Sequence, residues 1–297
     1  MRKGKLPANL QLASWKDEFG ETTLLTDNRG LMKLYLDGGL QFTENEEKRY
    51  HQILFLLPSL MVREKDMSVL VLGGGDGLGI RELVAQENIK DVTLVDISNF
   101  MITLATHHPE MKRLNENSFH NKKVTTVIQD SKDFIINAHR ENKKYDLIVL
   151  DYPDPNTEED NPINALFEVE HLKEVKALLK KDGILSMQST AVAISPNVFR
   201  KIQQNFMECF DGILPLRVPI ESFLDVGIIL AKDTGKEWEL FESFPDRMFC
   251  TEDSLVALTT FHKDELPTLD DDVIKSLSIS ELTRIDVFND LEEMYEK

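Results

Sequence analysis

The chain has 297 residues, 41% hydrophobic and 29% charged, which excludes a disordered chain and leaves one large domain or two small ones open. Its formal charge is -18, from 34 basic and 52 acidic residues. That balance speaks against nucleic acid or an anionic membrane as the main partner, and suits a small cationic ligand or simply an acidic, soluble surface. Two cysteines, Cys209 and Cys250, are too few for a disulfide framework or a cysteine metal cluster, and both are expected as reduced thiols.

The opening MRKGKLPANL is basic but lacks the apolar segment of a secretion signal. The longest mostly apolar stretch, ILFLLPSLMV at 53–62, is too short to span a bilayer and contains Pro58. A cytoplasmic protein with no membrane partner is the expectation. Residues 21–42 read as short strands: TTLLT, a turn at DNRG, then LMKLYLDGGLQF with a second turn at Asp37-Gly38-Gly39. From Thr43 the spacing becomes helical, with the threonine suited to N-capping and Glu46 three residues on, so a helix is predicted over 44–57, ended by Pro58.

From Met67 strands and helices alternate. Strands are predicted at 68–72, 91–95, 124–128, 145–151 and 183–189, with helices over 79–86, 99–107, 131–139 and 168–180 between them. Ser195 and Pro196 predict a helix start, serine as cap and proline in the first turn, running to Phe210. Strands at 213–219 and 226–231 follow, and 237–297 reads as helices and loops on the outside, with FNDLEEMYEK as an acidic end. This order predicts an α/β fold: a Rossmann-like, doubly wound, mostly parallel sheet of the class I methyltransferase type.

In VLVLGGGDGLG a strand runs into Gly73-Gly74-Gly75-Asp76-Gly77, a turn sharp enough to bring a ligand onto the backbone, or a plain turn. Asp96 follows at the end of the next strand, about 20 residues on, where a carboxylate can accept hydrogen bonds from a ribose. Asp130 ends the third strand, placed either for an adenine amino group or as the cap of the helix SKDFI. Asp76 would repel the amino-acid carboxylate of S-adenosylmethionine and attract a bare ammonium, favouring a decarboxylated donor, unless it points into solvent. In LDYPDPN, Asp151 and Asp154 lie past the fourth strand on a loop stiffened by Pro153 and Pro155. An amine nucleophile must lose a proton, so Asp151 reads as proton acceptor and Asp154 as a grip on the cationic amine; the bland alternative is a surface turn. No zinc-protease spacing, G-x-S-x-G elbow or P-loop lysine occurs, and no metal is expected.

LYLDGGLQFTENEEKRYHQ, VLVLGGGDGLGIREL, VTLVDIS, VIQDSKDF and YDLIVLDYPDPN together resemble the spermidine/spermine synthase family of polyamine aminopropyltransferases. The likeness runs from about Glu21 to Lys232 and is nearest to the soluble domain of the bacterial membrane-associated branch. It implies a small N-terminal β-rich domain over 1–50 and a catalytic domain over 51–297, assembled as a homodimer or homotetramer. It also implies a reaction in which decarboxylated S-adenosylmethionine, a co-substrate rather than a resident cofactor, gives its aminopropyl group to putrescine, spermidine or a similar polyamine. By the resemblance, Gln41, His51, Gly73, Gly75, Asp76, Gly77, Asp96 and Asp130 bind the donor. Asp151 is catalytic, and Tyr50 and Asp154 meet the acceptor; Glu221 and Asp225 could line the acceptor tunnel. Gln52 stands where the family commonly has glutamate, taking one charge from the acceptor side, and Val226 and Ile228 stand where the related branch has aromatic residues. The N-terminal strands look shortened. A small-molecule methyltransferase and a non-catalytic nucleoside or polyamine sensor remain as alternatives.

Overall fold

Eleven strands form two separate sheets in the computed structural model, which describes residues 10–17, 20–222 and 225–296. The first sheet is an antiparallel meander of β1 (Leu10–Asp17), β2 (Gly20–Thr26), β3 (Met32–Leu36) and β4 (Gly39–Thr43). The turns fall at DNRG and DGG, as the sequence predicts. β1 was not anticipated. It is an edge strand with Leu10 and Trp15 exposed, an irregular register between Gln11 and Ala13, and only Leu12 and Ala13 packed on the core.

The helical segment that follows starts later and ends later than its sequence suggests. Glu46, not Thr43, is the N-cap residue of α1 (Glu47–His51), and a π-helical turn, Gln52–Leu56, leads directly into α2 (Leu57–Met61). Pro58 does not stop the helix because it sits in the first turn of α2, just after that wide turn, where its missing N–H is tolerated.

The second sheet has strand order β10-β11-β9-β8-β5-β6-β7. Its parallel members are β5 (Met67–Gly73), β6 (Ile89–Asp96), β7 (Val124–Ile128), β8 (Tyr145–Asp151) and β9 (Leu179–Ala191). β11 (Val226–Lys232) pairs antiparallel with both β9 and β10 (Gly212–Val218) at the edge. Between the strands run α3 (Leu78–Val84), α4 (Asn99–His107), α5 (Pro109–Leu114), α6 (Ser131–Arg140), α7 (Val169–Lys176) and α8 (Pro196–Cys209). Strand alternation divides the core. Leu70, Leu72, Ile148 and Leu150 face Phe134, Leu172 and Phe206 on one side, while Val69, Val71, Leu147 and Val149 face Ile53, Phe55 and Ile80 on the other. Each such fully buried side chain contributes about 1.5–3 kcal/mol of transfer free energy. A third cluster joins Leu24, Leu34 and Phe42 of the N-terminal sheet to Leu104, Met111 and Leu114 of α4 and α5.

Past β11 come two 3-10 turns, Glu252–Thr259 and Lys263–Glu265, then α9 (Asp271–Ser276) and α10 (Ile279–Glu296). α10 begins ahead of the acidic FNDLEEMYEK segment. Its Asp286, 2% exposed, accepts hydrogen bonds from the Val198 N–H (3.0 Å) and the Asn197 amide (2.6 Å). It thus supplies the cap at the start of α8 that Ser195 was expected to give; the Ser195 hydroxyl makes no cap bond. Among the described residues, no helix is long and apolar enough to cross a membrane.

Candidate active site

Strand order reverses direction at β5, with β6 and β7 on one side and β8 and β9 on the other. A crevice opens at the carboxyl ends of strands at such a point. The carboxyl ends of β5 and β8 meet there, Gly73 registering with Asp151. Gly73 has a φ of 84°, and a Cβ on it would lie 2.1 Å from the Asp151 carbonyl oxygen, so only glycine permits this approach. At Gly74 a Cβ would lie 2.9 Å from the Asp151 carboxylate itself. The donor-type turn and the reaction-type loop are therefore in backbone contact.

Asp96 ends β6 beside that turn. Its carboxylate accepts the Gly75 N–H (2.9 Å) and the Ser98 N–H (2.8 Å). Burial pushes its carboxyl up, the two N–H bonds only partly oppose this, and the group settles at about 6. Gly77 is the left-handed N-cap residue of α3, packed against Phe119. Asp76 is turned inward. One oxygen accepts the Leu78 N–H (2.9 Å) and the other lies 3.9 Å from His51 Nε2. Burial raises it, the His51 charge pulls it back, and it too stands at about 6.

His51 and Tyr50 come from the last turn of α1. His51 Nδ1 lies 2.8 Å from the Glu47 carbonyl oxygen and 3.0 Å from its carboxylate. That carboxylate is bound by both terminal nitrogens of Arg81, at 2.9 Å each. Burial favours the neutral imidazole, but the Glu47 bond and the charges of Asp76, Glu47 and Asp151 outweigh it and lift His51 to about 9. The Tyr50 hydroxyl donates to Asp151 Oδ1. Burial, then the charge of Asp151, holds the phenol well above its ordinary range, so it stays a donor. Burial also raises the Asp151 carboxyl, against the His51 charge and the Tyr50 bond. Asp154 lies exposed on the loop past β8, and its carboxylate accepts a hydrogen bond from the Gln188 side chain on β9.

Tyr50, His51, Asp76, Asp96 and Asp151 are thus linked by contact or charge, with Asp154 held nearby from β9. Other expected residues stand apart. Asp130 is exposed and its carboxylate accepts the Lys132 N–H (2.7 Å) as the cap of α6, the bland alternative for that position. Gln41 is exposed on β4 with its amide on the Gly39 carbonyl (3.3 Å). Asp225 is committed to an ion pair with Arg217 and to the Ile220 N–H (3.2 Å), and Glu221 is exposed on the same turn. Gln52 is directed elsewhere than the acceptor side: its amide donates to the Arg247 carbonyl (3.0 Å) and accepts the Phe249 N–H (2.9 Å).

Gln188, Glu47 and Arg81 went unremarked in the sequence. Nothing in their spacing marks them: Gln188 is one of several polar residues of β9, with Ser186, Ser189 and Thr190, and Glu47 and Arg81 lie in helices that carry other charges. Among the described residues no group of three or more His, Cys, Asp or Glu side chains could hold a metal ion. A cleft of about 480 Å³ lined by Pro196, Phe199, Phe261 and Leu266 contains none of the clustered carboxylates.

Residues 47–242 match the family described as the spermine/spermidine synthase domain. A polyamine aminopropyltransferase of Oceanobacillus iheyensis is 31% identical over 282 residues, 95% of this chain and 52% of the relative. One from Leptospira interrogans is 30% identical over 242 residues, 81% of this chain and 47% of the relative. The chain spans about half the length of these curated relatives. Among solved structures, a spermidine synthase in complex with the transition state analogue AdoDATO aligns with TM-score 0.72 at 19% identity, over 86% of this chain and 88% of that one. Spermidine synthase from Thermotoga maritima aligns with TM-score 0.70 at 18% identity, over 86% and 87%. These alignments place the fold: a mostly parallel seven-stranded sheet with an N-terminal antiparallel sheet of four strands.

Proposed function

The chain belongs to the spermine/spermidine synthase domain family, and on that premise we propose that it is an aminopropyltransferase acting on decarboxylated S-adenosylmethionine and a polyamine. The observation that carries this reading is the inward-facing Asp76 at the β5 turn, beside a second half-buried carboxyl, Asp151, that is held by Tyr50. A carboxylate at that turn suits the ammonium of a decarboxylated donor and opposes the carboxylate of S-adenosylmethionine. Asp96 takes the ribose hydroxyls, His51 packs beside the donor, and Gly73, Gly75 and Gly77 let the backbone reach it.

The amine arrives as a cation, since its pKa is about 10. Asp154 grips it, Asp151 accepts its proton, and Tyr50 orients the Asp151 carboxylate. The nitrogen lone pair attacks the methylene carbon next to sulfur, the carbon–sulfur bond breaks, and its electrons return to sulfur, which leaves in neutral methylthioadenosine. Burial that raises Asp151 favours this proton acceptance. Gln41, Asp130, Glu221 and Asp225 keep peripheral roles: the first two at the donor, the last two at the acceptor. The same reading takes 1–50 as a β-rich domain and 51–297 as the catalytic domain, supported by their separate sheets. It also includes a homodimer or homotetramer and a cytoplasmic location, which sedimentation and cell fractionation test.

The deciding experiment incubates the chain with decarboxylated S-adenosylmethionine and a panel of amines, with S-adenosylmethionine in parallel, and weighs the products. An amine heavier by one aminopropyl unit, with methylthioadenosine released, is expected. Methylated product from S-adenosylmethionine alone would replace this reading with a methyltransferase. Donor binding without any product would leave a sensor.

A further inference from the structure

We infer that Glu46 is a positioning residue that clamps the turn between β10 and β11 to the helix bearing Tyr50, and thereby sets which amines the site accepts; this rests on the aminopropyltransferase reading. Glu46 is 7% exposed. Its Oε2 accepts the Ser222 hydroxyl (2.6 Å) and the Thr43 hydroxyl (3.0 Å), and its Oε1 accepts the Glu221 N–H (3.0 Å). Burial raises its carboxyl, but these bonds outweigh burial and hold it below its ordinary value. A second strap lies beside it, the Arg49 guanidinium donating to the Pro219 carbonyl (3.2 Å). Two residues at the start of one helix therefore hold both sides of the 219–222 segment.

That segment lies at the reacting end of the sheet. Val226, which opens β11, registers with Ala191 at the carboxyl end of β9. Ile228 registers with Gln188, whose amide holds Asp154. Asp225, just ahead of β11, pairs with Arg217 of β10, which in turn pairs with Glu265. Tyr50 follows Glu46 by four residues, in the short helix of which Glu46 is the N-cap residue. Glu46 thus joins the turn that carries Glu221 to the helix whose tyrosine orients Asp151. The exposed Glu221 carboxylate is held at a fixed offset from the reaction centre, where it can receive the distal ammonium of an amine of matching length.

The test measures kcat and KM for diamines of increasing length and for spermidine, with donor Kd by calorimetry, in Glu46→Gln, Ser222→Ala and Thr43→Val. Glu46→Gln and Ser222→Ala are expected to raise amine KM about tenfold, the scale of one charge-assisted hydrogen bond, and to flatten the preference for chain length. Donor Kd is expected to stay within about twofold, and Thr43→Val, which leaves the turn contacts in place, to keep the wild-type amine KM. Unchanged amine KM and length preference in Ser222→Ala would overturn the proposal even if Glu46→Gln folds poorly. So would a rise in donor Kd equal to the rise in amine KM, which marks general loosening. A wild-type chain that binds donor but transfers to no amine overturns the enzymatic reading, and this proposal with it.

Discussion

Asp151 receives the Tyr50 hydroxyl and lies under the glycine turn, and an amide in its place keeps the side chain's shape while the two N–H bonds that hold Asp96 remain. Asp151→Asn is expected to lower kcat by about 100- to 10,000-fold with donor Kd nearly unchanged, measured by steady-state kinetics and calorimetry. Asp76 and Asp96 make a different test. Both carboxyls are raised from 3.8 to about 6 in the empty protein, so they take up protons as pH falls through that value. A cationic donor prefers the ionised forms. Its Kd is expected to be level above about pH 7 and to rise by up to roughly tenfold per pH unit for each proton below 6, by calorimetry across pH. In the empty protein the same two groups contribute stability that is full below 3.8 and lost as pH rises through about 6, so donor binding stabilises most at neutral pH. Most of this cluster was legible in the sequence because glycines and acids at strand ends have few other uses. The partners behind it were not. Arg81 and Glu47 sit in helices whose spacing gives no sign that two charges will be buried against each other. Gln188 reads as part of a strand until Asp154 is placed opposite it.

Among elements, α8 and α10 depend on one side chain. Asp286→Ala would leave the Val198 N–H and the Asn197 amide short of an acceptor in a buried setting, and is expected to cost about 2–4 kcal/mol in urea unfolding. Strands were the elements read most accurately. The runs VTTVI and YDLIVLD match β7 and β8 to the residue, because β-branched and apolar residues end abruptly at turn formers. β1 escapes sequence reading because its mixed polar pattern carries no period, and its pairing with β2 rests on the backbone ladder with the Ser14 hydroxyl beside Thr23. The helix over Glu47–Met61 was cut short at Pro58, since a π-helical turn has no signature in residue spacing. The cap from α10 lies some ninety positions away from α8 and could not be read locally.

For the whole molecule, if the proposed polyamine is the substrate, the net charge of -18 acts on it before contact. The kcat/KM for a polyamine is expected to fall several-fold between about 20 and 300 mM salt, while kcat at saturation changes little, because screening shortens the reach of the field rather than altering bound geometry. A salt-independent kcat/KM would show that the acidic surface serves solubility alone. The contact between Gly73 and Asp151 has a further consequence for how this molecule can change. On the proposed reading the donor half of the site is built from touching main chain, so a substitution in the glycine turn reaches the Asp151 carboxylate directly. The proposed acceptor half is assembled from side chains on β9, α1 and the 219–222 segment, each replaceable singly. A mutant library aimed at new amines should therefore retain many active members if it varies that second half, and almost none if it varies 73–77.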